Sequence, residues 1–447
     1  MNYLVTKKDA TFIFLFKLFI FVYIFVDFVR RFFEGNKFIL MSLDLVILVT
    51  FIYYLSVTKF KILDISKISI WLRVYLTLFT LIIFFQIFNP YYYDAITYIV
   101  GARTYLLAIP MIFVGYYFSK HKLLINKSMI NFILFFVILS LFYAVFQLMT
   151  DYTKLVGTAM EFIAPMEHGV HSFGDKAVQL TSSFFASSKR YGHFLMIMYL
   201  LYLGIALNLK NKISIVVTMI FMVALVVSGA RESFVLFLAI QIFLFLKFSN
   251  IKSKIIILII SIIVLLLGVY FISDDLLFKL EFLLSSPDEY LRRIYQFFPP
   301  PFVEFNNPNM LFGLGVGKYG QESLLNPNIL NLTHGIDRSF FHSLGFFGSA
   351  YGFMDAGLAK VFIELGFFGI MVYLLFLINI IILAIKNLFY IKQIDYLRFS
   401  LSIFILLWVI YMLKAHPNIS DIFMSYFLYF SIGYVLFKEK KKLEICN

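Results

Sequence analysis

Residues Met129 to Met149 read MINFILFFVILSLFYAVFQLM, with no Asp, Glu, Lys or Arg among them. A helix of about 20 residues crosses ~30 Å of hydrocarbon, and only helices or closed barrels satisfy their backbone polar groups there. The run is helix-length and lacks the ten-residue alternation of a barrel strand. It predicts a membrane-spanning helix. Outward from it, comparable runs lie near 10–29, 38–58, 69–88, 97–118, 190–208, 213–229, 233–248, 255–273, 356–385, 399–415 and 420–437. The expected fold class is an all-α polytopic membrane protein with about 12 transmembrane helices and a large extracytoplasmic loop between helices 9 and 10. Its organisation is helices 1–9 over residues 1–273, the loop over 274–355, and helices 10–12 with a basic cytoplasmic tail over 356–447.

Composition points the same way. The 447 residues are 62% hydrophobic and 14% charged, with a mean hydropathy of +0.91, whereas soluble domains carry about 25% charged residues. A soluble globule is excluded. The first run contains Lys17, is longer than a signal-peptide core and has no small-residue cleavage site after it, so it is expected to stay as a helix.

Lys and Arg in short loops near span ends mark the cytoplasmic side. With the amino terminus inside, every inner segment is basic, from Lys7 and Lys8 through Lys59, Lys120, Lys210, Lys252 and Lys392 to the tail Lys438, Lys440, Lys441 and Lys442. The outer turn Asn89 to Asp94 has no cation, although Arg30, Arg31 and Lys37 in the first outer loop run against the trend. Both termini are therefore expected in the cytoplasm and the 274–355 loop outside. The net charge of +13 suits anionic lipid headgroups and needs no nucleic acid. Cys446 is the only cysteine, so there is neither a disulfide framework nor a thiolate metal site.

Chemistry is expected where the apolar runs stop. The segment 150–189 ends in Thr181-Ser182-Ser183-Phe184-Phe185 and Lys189-Arg190, with His193 one turn further. The segment 274–355 opens with leucines at helical spacing over 275–284, then Arg292, Arg293 and three prolines at 299–301. Its glycine-rich stretch, Gly313 to Gly320, surrounds Lys318. Gly315 to Gly320 matches G-x-G-x-x-G, but no strand precedes it, so it is not a dinucleotide site. Backbone beside Lys318 can instead approach a phosphate closely, or form a plain turn.

Arg231, in Ser228-Gly229-Ala230-Arg231-Glu232, is either an interfacial arginine paired with Glu232 or an anion-binding one, since a guanidinium grips phosphate oxygens bidentately. Arg103 is open to the same two readings, with Asp94 as its structural partner. Arg190 begins a helix whose dipole favours anions. His342 is a base or phosphate ligand by its ordinary pKa, or an incidental loop histidine. His168 and His171 stand at i and i+3, but no metal motif is complete.

Four stretches, in order, resemble the O-antigen ligase and polymerase superfamily: Leu180 to Phe185 with Tyr191 to Leu195; Ser228 to Arg231; Leu311 to Gly317; and Asp355 to Leu358 continuing into Ile363-Glu364-Leu365-Gly366-Phe367-Phe368-Gly369. The resemblance implies an integral-membrane glycosyltransferase at the outer face of the bacterial inner membrane, joining undecaprenyl-diphosphate-linked repeat units into O-antigen or capsular polysaccharide. It further implies that Arg231, with Arg103, Arg190 and Lys318, binds the diphosphate, and that His342, Asp355 or Glu364 serves the acceptor hydroxyl. No metal and no cofactor are implied. The partners would be the lipid-linked oligosaccharide, membrane lipid and a chain-length regulator. Ligases of the family place a histidine shortly before the closing helix, whereas His342 stands 22 residues ahead of Glu364, which favours a polymerase. The alternatives are a ligase of the same superfamily and a lipid-linked oligosaccharide flippase.

Overall fold

The computed structural model describes residues 6–33, 39, 41–59, 70–89, 95–149, 170–173, 176–179, 181–185, 188–210, 214–228, 230, 233, 236–241, 311–313, 315–316, 357–389, 395–413 and 422–436. The span expected at 255–273, most of the 274–355 loop, and Arg231, Lys318, His342 and Asp355 lie outside them. The helices are α1 (Lys7–Phe32), α2 (Met41–Val57), α3 (Ile70–Phe85), α4 (Ala95–Leu106), α5 (Pro110–His121), α6 (Lys127–Met149), α7 (Ser188–Asn208), α8 (Ile215–Ser228), α9 (Gly357–Phe389), α10 (Tyr396–Leu413) and α11 (Ile422–Leu436). Strands β1 (Val170–Phe173) and β2 (Lys176–Gln179) form a short antiparallel hairpin between α6 and α7, which the all-helical expectation did not include. His171 lies in β1, and His168 lies outside the described residues.

Among the described residues, six helical stretches are long and apolar enough to cross a membrane: Lys7–Arg30, Ile70–Phe88, Tyr98–His121, Lys127–Gln147, Lys189–Asn208 and Glu364–Phe389. Met41–Val57, Val216–Ser228, Tyr396–Val409 and Phe423–Leu436 are shorter apolar helices. Their surfaces are inside-out by the standard of a soluble protein. On α6 the exposed stripe is Phe135, Phe142, Phe146 and Met149, while Ser140 and Gln147 are buried with Ile133, Val137 and Ala144. Alternation at 3 and 4 residues assigns the aromatic stripe to the outside and the polar side chains to the interior. Such a surface suits hydrocarbon.

The span expected at 97–118 is the stretch Tyr98–His121, which carries a turn ahead of Pro110. Pro110 has no N–H to offer the Leu106 carbonyl, and it disfavours helical backbone at Ile109. The Ile109 amide bonds to that carbonyl instead, at 3.1 Å, and α5 begins with proline in its first turn. Arg103 lies in the last turn of α4, early in that stretch as expected.

The chain divides into two compact units, Met1–Tyr53, His121–Glu281 and Lys392–Ile403 in one, Tyr54–Lys120, Phe282–Ile391 and Phe404–Asn447 in the other. In the first, Thr6 and Asp9 cap α1 reciprocally. Its central helix is α7, 89% buried over its span and packed by α6 and α8. Phe185 fixes the entry to α7, with its ring 5.4 Å from Tyr23, 5.7 Å from Tyr191 and 5.0 Å from Phe194.

In the second unit α3 runs along α9, and α9 also packs on α11. Tyr75 stacks on Phe376 at 4.1 Å and shares a 3.1 Å hydroxyl hydrogen bond with Tyr429. Helices α5 and α11 meet through Gly115 and Gly433, where a Cβ would fall 2.0 Å and 1.9 Å from the carbonyl oxygens of Phe430 and Ile112. Small residues permit this approach between membrane helices.

Candidate functional site

Glycines that looked like a loop motif and glycines that looked like a helix motif turn out to be one structure in the second unit. Gly366 breaks α9 with φ 68° and ψ −165°, a backbone shape that side chains rarely tolerate. The carbonyl of Glu364 accepts the Gly315 amide at 3.1 Å. A Cβ at Gly366 would stand 2.4 Å from the Gly313 nitrogen, and one at Gly313 (φ 75°) would stand 2.4 Å from the Glu364 carbonyl oxygen. The two segments are therefore in backbone contact.

Side chains from the end of α3 and the turn after it hold this junction. Gln86 donates to the Phe312 carbonyl at 2.8 Å, and Asn89 donates to the Gly313 carbonyl at 3.0 Å and to the Gln86 side-chain oxygen at 2.7 Å. Both amides are buried. The Glu364 carboxylate, 0% exposed, accepts the Tyr105 hydroxyl at 2.6 Å. Tyr105 follows Arg103 by two residues on α4. A fully buried carboxylate survives only with strong hydrogen bonds, and one to an ionised group contributes roughly 1.5–3 kcal/mol.

The other two stretches meet in the first unit. Thr181 donates its hydroxyl to the Val227 carbonyl at 2.9 Å. Ser183 takes positive φ (51°) and is held on three sides: its amide donates to Gln147 Oε1 at 2.8 Å, its carbonyl accepts from Gln147 Nε2 at 3.1 Å, and its hydroxyl donates to the Ser140 carbonyl at 2.7 Å. Gly192 faces Ala230, and a Cβ there would come within 2.4 Å of the Ala230 Cβ and 2.7 Å of Ser233 Oγ. Ser228 ends α8 and accepts the Ala230 amide at 3.2 Å. Arg231 follows directly in sequence from this contact.

Charge in this unit gathers on Asp27, a residue of α1 with a buried carboxylate. Arg190 donates from Nη1 to both its oxygens, at 3.0 and 3.3 Å, and Arg30 Nη1 lies 3.7 Å away. His193, one turn after Lys189 on α7, is buried. Sequence reasoning passed over Asp27, although a lone carboxylate inside an apolar run is a strong signal. It also passed over Gln86, Asn89, Tyr105 and Gln147, polar side chains whose partners lie far off in sequence.

Among the described residues no three of His, Cys, Asp and Glu are grouped to hold a metal ion. Compared with known proteins, the chain matches no family model and no curated sequence.

Proposed function

We propose that the chain is a polysaccharide polymerase, an integral-membrane glycosyltransferase that takes a glycan from undecaprenyl diphosphate and passes it to the hydroxyl of another lipid-linked repeat unit. In this reading it crosses the bacterial inner membrane about 12 times, with both termini in the cytoplasm and the 274–355 loop outside. The observation that carries the reading is pairwise contact among the four stretches behind the resemblance. The stretch containing Thr181 and Gly192 meets the one containing Val227 and Ala230, and Gly313 and Gly315 meet Glu364 and Gly366. In both pairs a Cβ added at a glycine would meet the opposing segment.

The chemistry needs two functions. The acceptor oxygen attacks the anomeric carbon, the bond to the diphosphate breaks, and the departing undecaprenyl diphosphate keeps the electron pair while the hydroxyl proton passes to a base. Arginines stabilise that leaving group without a metal, and Arg231, Arg103, Arg190 and Lys318 are assigned this work. His342, Asp355 and Glu364 are the candidates for the base. To serve as base, Glu364, which is 0% exposed, would have to become accessible to the acceptor, its second oxygen accepting while Tyr105 stays bonded to the first.

Glycan length in a deletion strain tests the proposal. A polymerase loss leaves single repeat units on the acceptor. Full-length chains left on the carrier lipid would instead mean a lost ligase, and repeats retained in the cytoplasm a lost flippase.

A further inference from the structure

Three of the four non-glycine residues with positive φ among the described residues are lysines, and each follows the end of a helix: Lys59 (φ 52°) after α2, Lys122 (φ 52°) after α5 and Lys210 (φ 57°) after α7. That backbone shape crowds the Cβ of an L-residue against a carbonyl oxygen, so glycine usually holds the position just past a helix. Lys59 and Lys210 sit in matching caps. The Lys59 amide donates to the Ser56 carbonyl at 3.3 Å and the Lys210 amide to the Leu207 carbonyl at 3.0 Å, one such cap in each compact unit. Glycine would close either turn with less strain, so the turn itself does not call for lysine.

The charge does. The last carbonyls of a helix carry its negative end, which repels an anionic headgroup. Neither α2 nor α7 has a basic residue in its last turn. A lysine placed there would lean back along the helix, because helical Cα–Cβ bonds tilt toward the amino terminus, and so toward the apolar span. The position past the end is the first released from that tilt. Lys59 and Lys210 are both exposed, and neither forms an ion pair among the described residues. A second lysine follows each two residues on, Lys61 and Lys212, and no acid lies within three positions of either. Asp395, to which Asn208 donates at the α7 end, already accepts the amides of Leu397 and Arg398.

We infer that Lys59 and Lys210 bind the headgroup phosphate of anionic phospholipids at the ends of α2 and α7, reversing the sign of the potential that each helix would otherwise present to the bilayer surface. The inference needs only that these helices reach that surface, and it stands apart from the polymerase reading. In the proposed topology both ends face the cytoplasm, the side whose anionic leaflet attracts lysine.

The test uses the full-length chain in neutral maltoside micelles, with phosphatidylglycerol or phosphatidylcholine added and bound lipid counted by native mass spectrometry. Lys59→Gly and Lys210→Gly are each expected to weaken phosphatidylglycerol binding at one site about fivefold, the share of one lysine in headgroup attraction, and to leave phosphatidylcholine binding unchanged. Because glycine takes positive φ without a Cβ penalty, the melting temperature in lipid-free micelles should stay at or above that of the wild type. Wild-type phosphatidylglycerol affinity in both variants overturns the inference. A lower melting temperature, with binding of the two lipids reduced alike, would make the lysines helix caps alone and overturns it as well.

Lys127→Gln is the control for diffuse charge. Lys127 is exposed in the first turn of α6, where the helix end is already positive, so its loss should matter less than that of either cap lysine. An equal loss overturns the assignment to the caps. Should a glycine variant fail to fold, Lys59→Gln and Lys210→Gln drop the charge and keep a long side chain, and wild-type phosphatidylglycerol affinity in both overturns the inference too.

Discussion

Around Asp27 the apolar helices carry full charges, joined by side chains that reach across from α1 to α7. Around Glu364 the joint between α9 and residues 311–313 and 315–316 is a backbone contact that closes because no side chain stands in the way, and neutral side chains, Gln86 and Asn89, bond to its carbonyls. The two regions tolerate different changes. A joint made of side chains can be rebuilt with other side chains. A joint made of backbone contact fails wherever a Cβ is introduced.

The largest effect is expected at Gly366→Val. Positive φ for a residue with a Cβ costs roughly 1–2 kcal/mol, and overpacking adds about 1–3 kcal/mol. Because the clash is with the backbone of Gly313 and Leu311, no partner substitution should rescue it. Thermal unfolding in detergent checks this, and recovery through any side-chain change at residues 311–313 would break the contrast.

Gly192→Ala supplies the counterpart. Its Cβ would meet Ala230 Cβ and Ser233 Oγ, an overpacking cost of about 1–3 kcal/mol, but here the obstacle is a side chain. The double variant Gly192→Ala, Ala230→Gly is expected to regain most of the lost stability. A double variant no better than the single one would show that this contact, too, is set by backbone.

Tyr105→Phe is expected to cost roughly 1.5–3 kcal/mol by removing the hydroxyl from a buried carboxylate, with Tyr105→Phe, Glu364→Gln milder than the sum of the single changes, as measured by a double-mutant cycle. Gln147→Ala, which strips two hydrogen bonds from Ser183, should cost about 1–3 kcal/mol. The smallest effect belongs to the outer surface. Phe142, 71% exposed on α6, should tolerate Leu within about 0.5 kcal/mol.

Much of this was legible in the sequence, because membrane helices announce themselves by length and hydropathy. Apolar runs near 129–149 and 190–208 became α6 and α7 with nearly the expected ends. The turn ahead of Pro110 was legible too, from the missing amide, but a continuous apolar run hid it. Glu364, Gly366 and Gly313 stood out as motif residues, yet their contact did not, since periodicity carries no information about partners some 50 residues apart. Asp27 and Arg190 are separated by 163 positions, and nothing local to either predicts the other. The hairpin at 170–179 was missed because strand alternation over 4 residues is too short to be told from a polar loop.

Reconstitution tests the proposed joining of lipid-linked repeats. Purified chain in liposomes, given undecaprenyl-diphosphate-linked repeat units on its outer-face side, is predicted to produce a ladder of whole-number multiples on the carrier, and Arg231→Ala at equal incorporation is predicted to leave only single units. Monodisperse protein that yields no ladder, or that moves the repeat across the bilayer without lengthening it, would contradict the account.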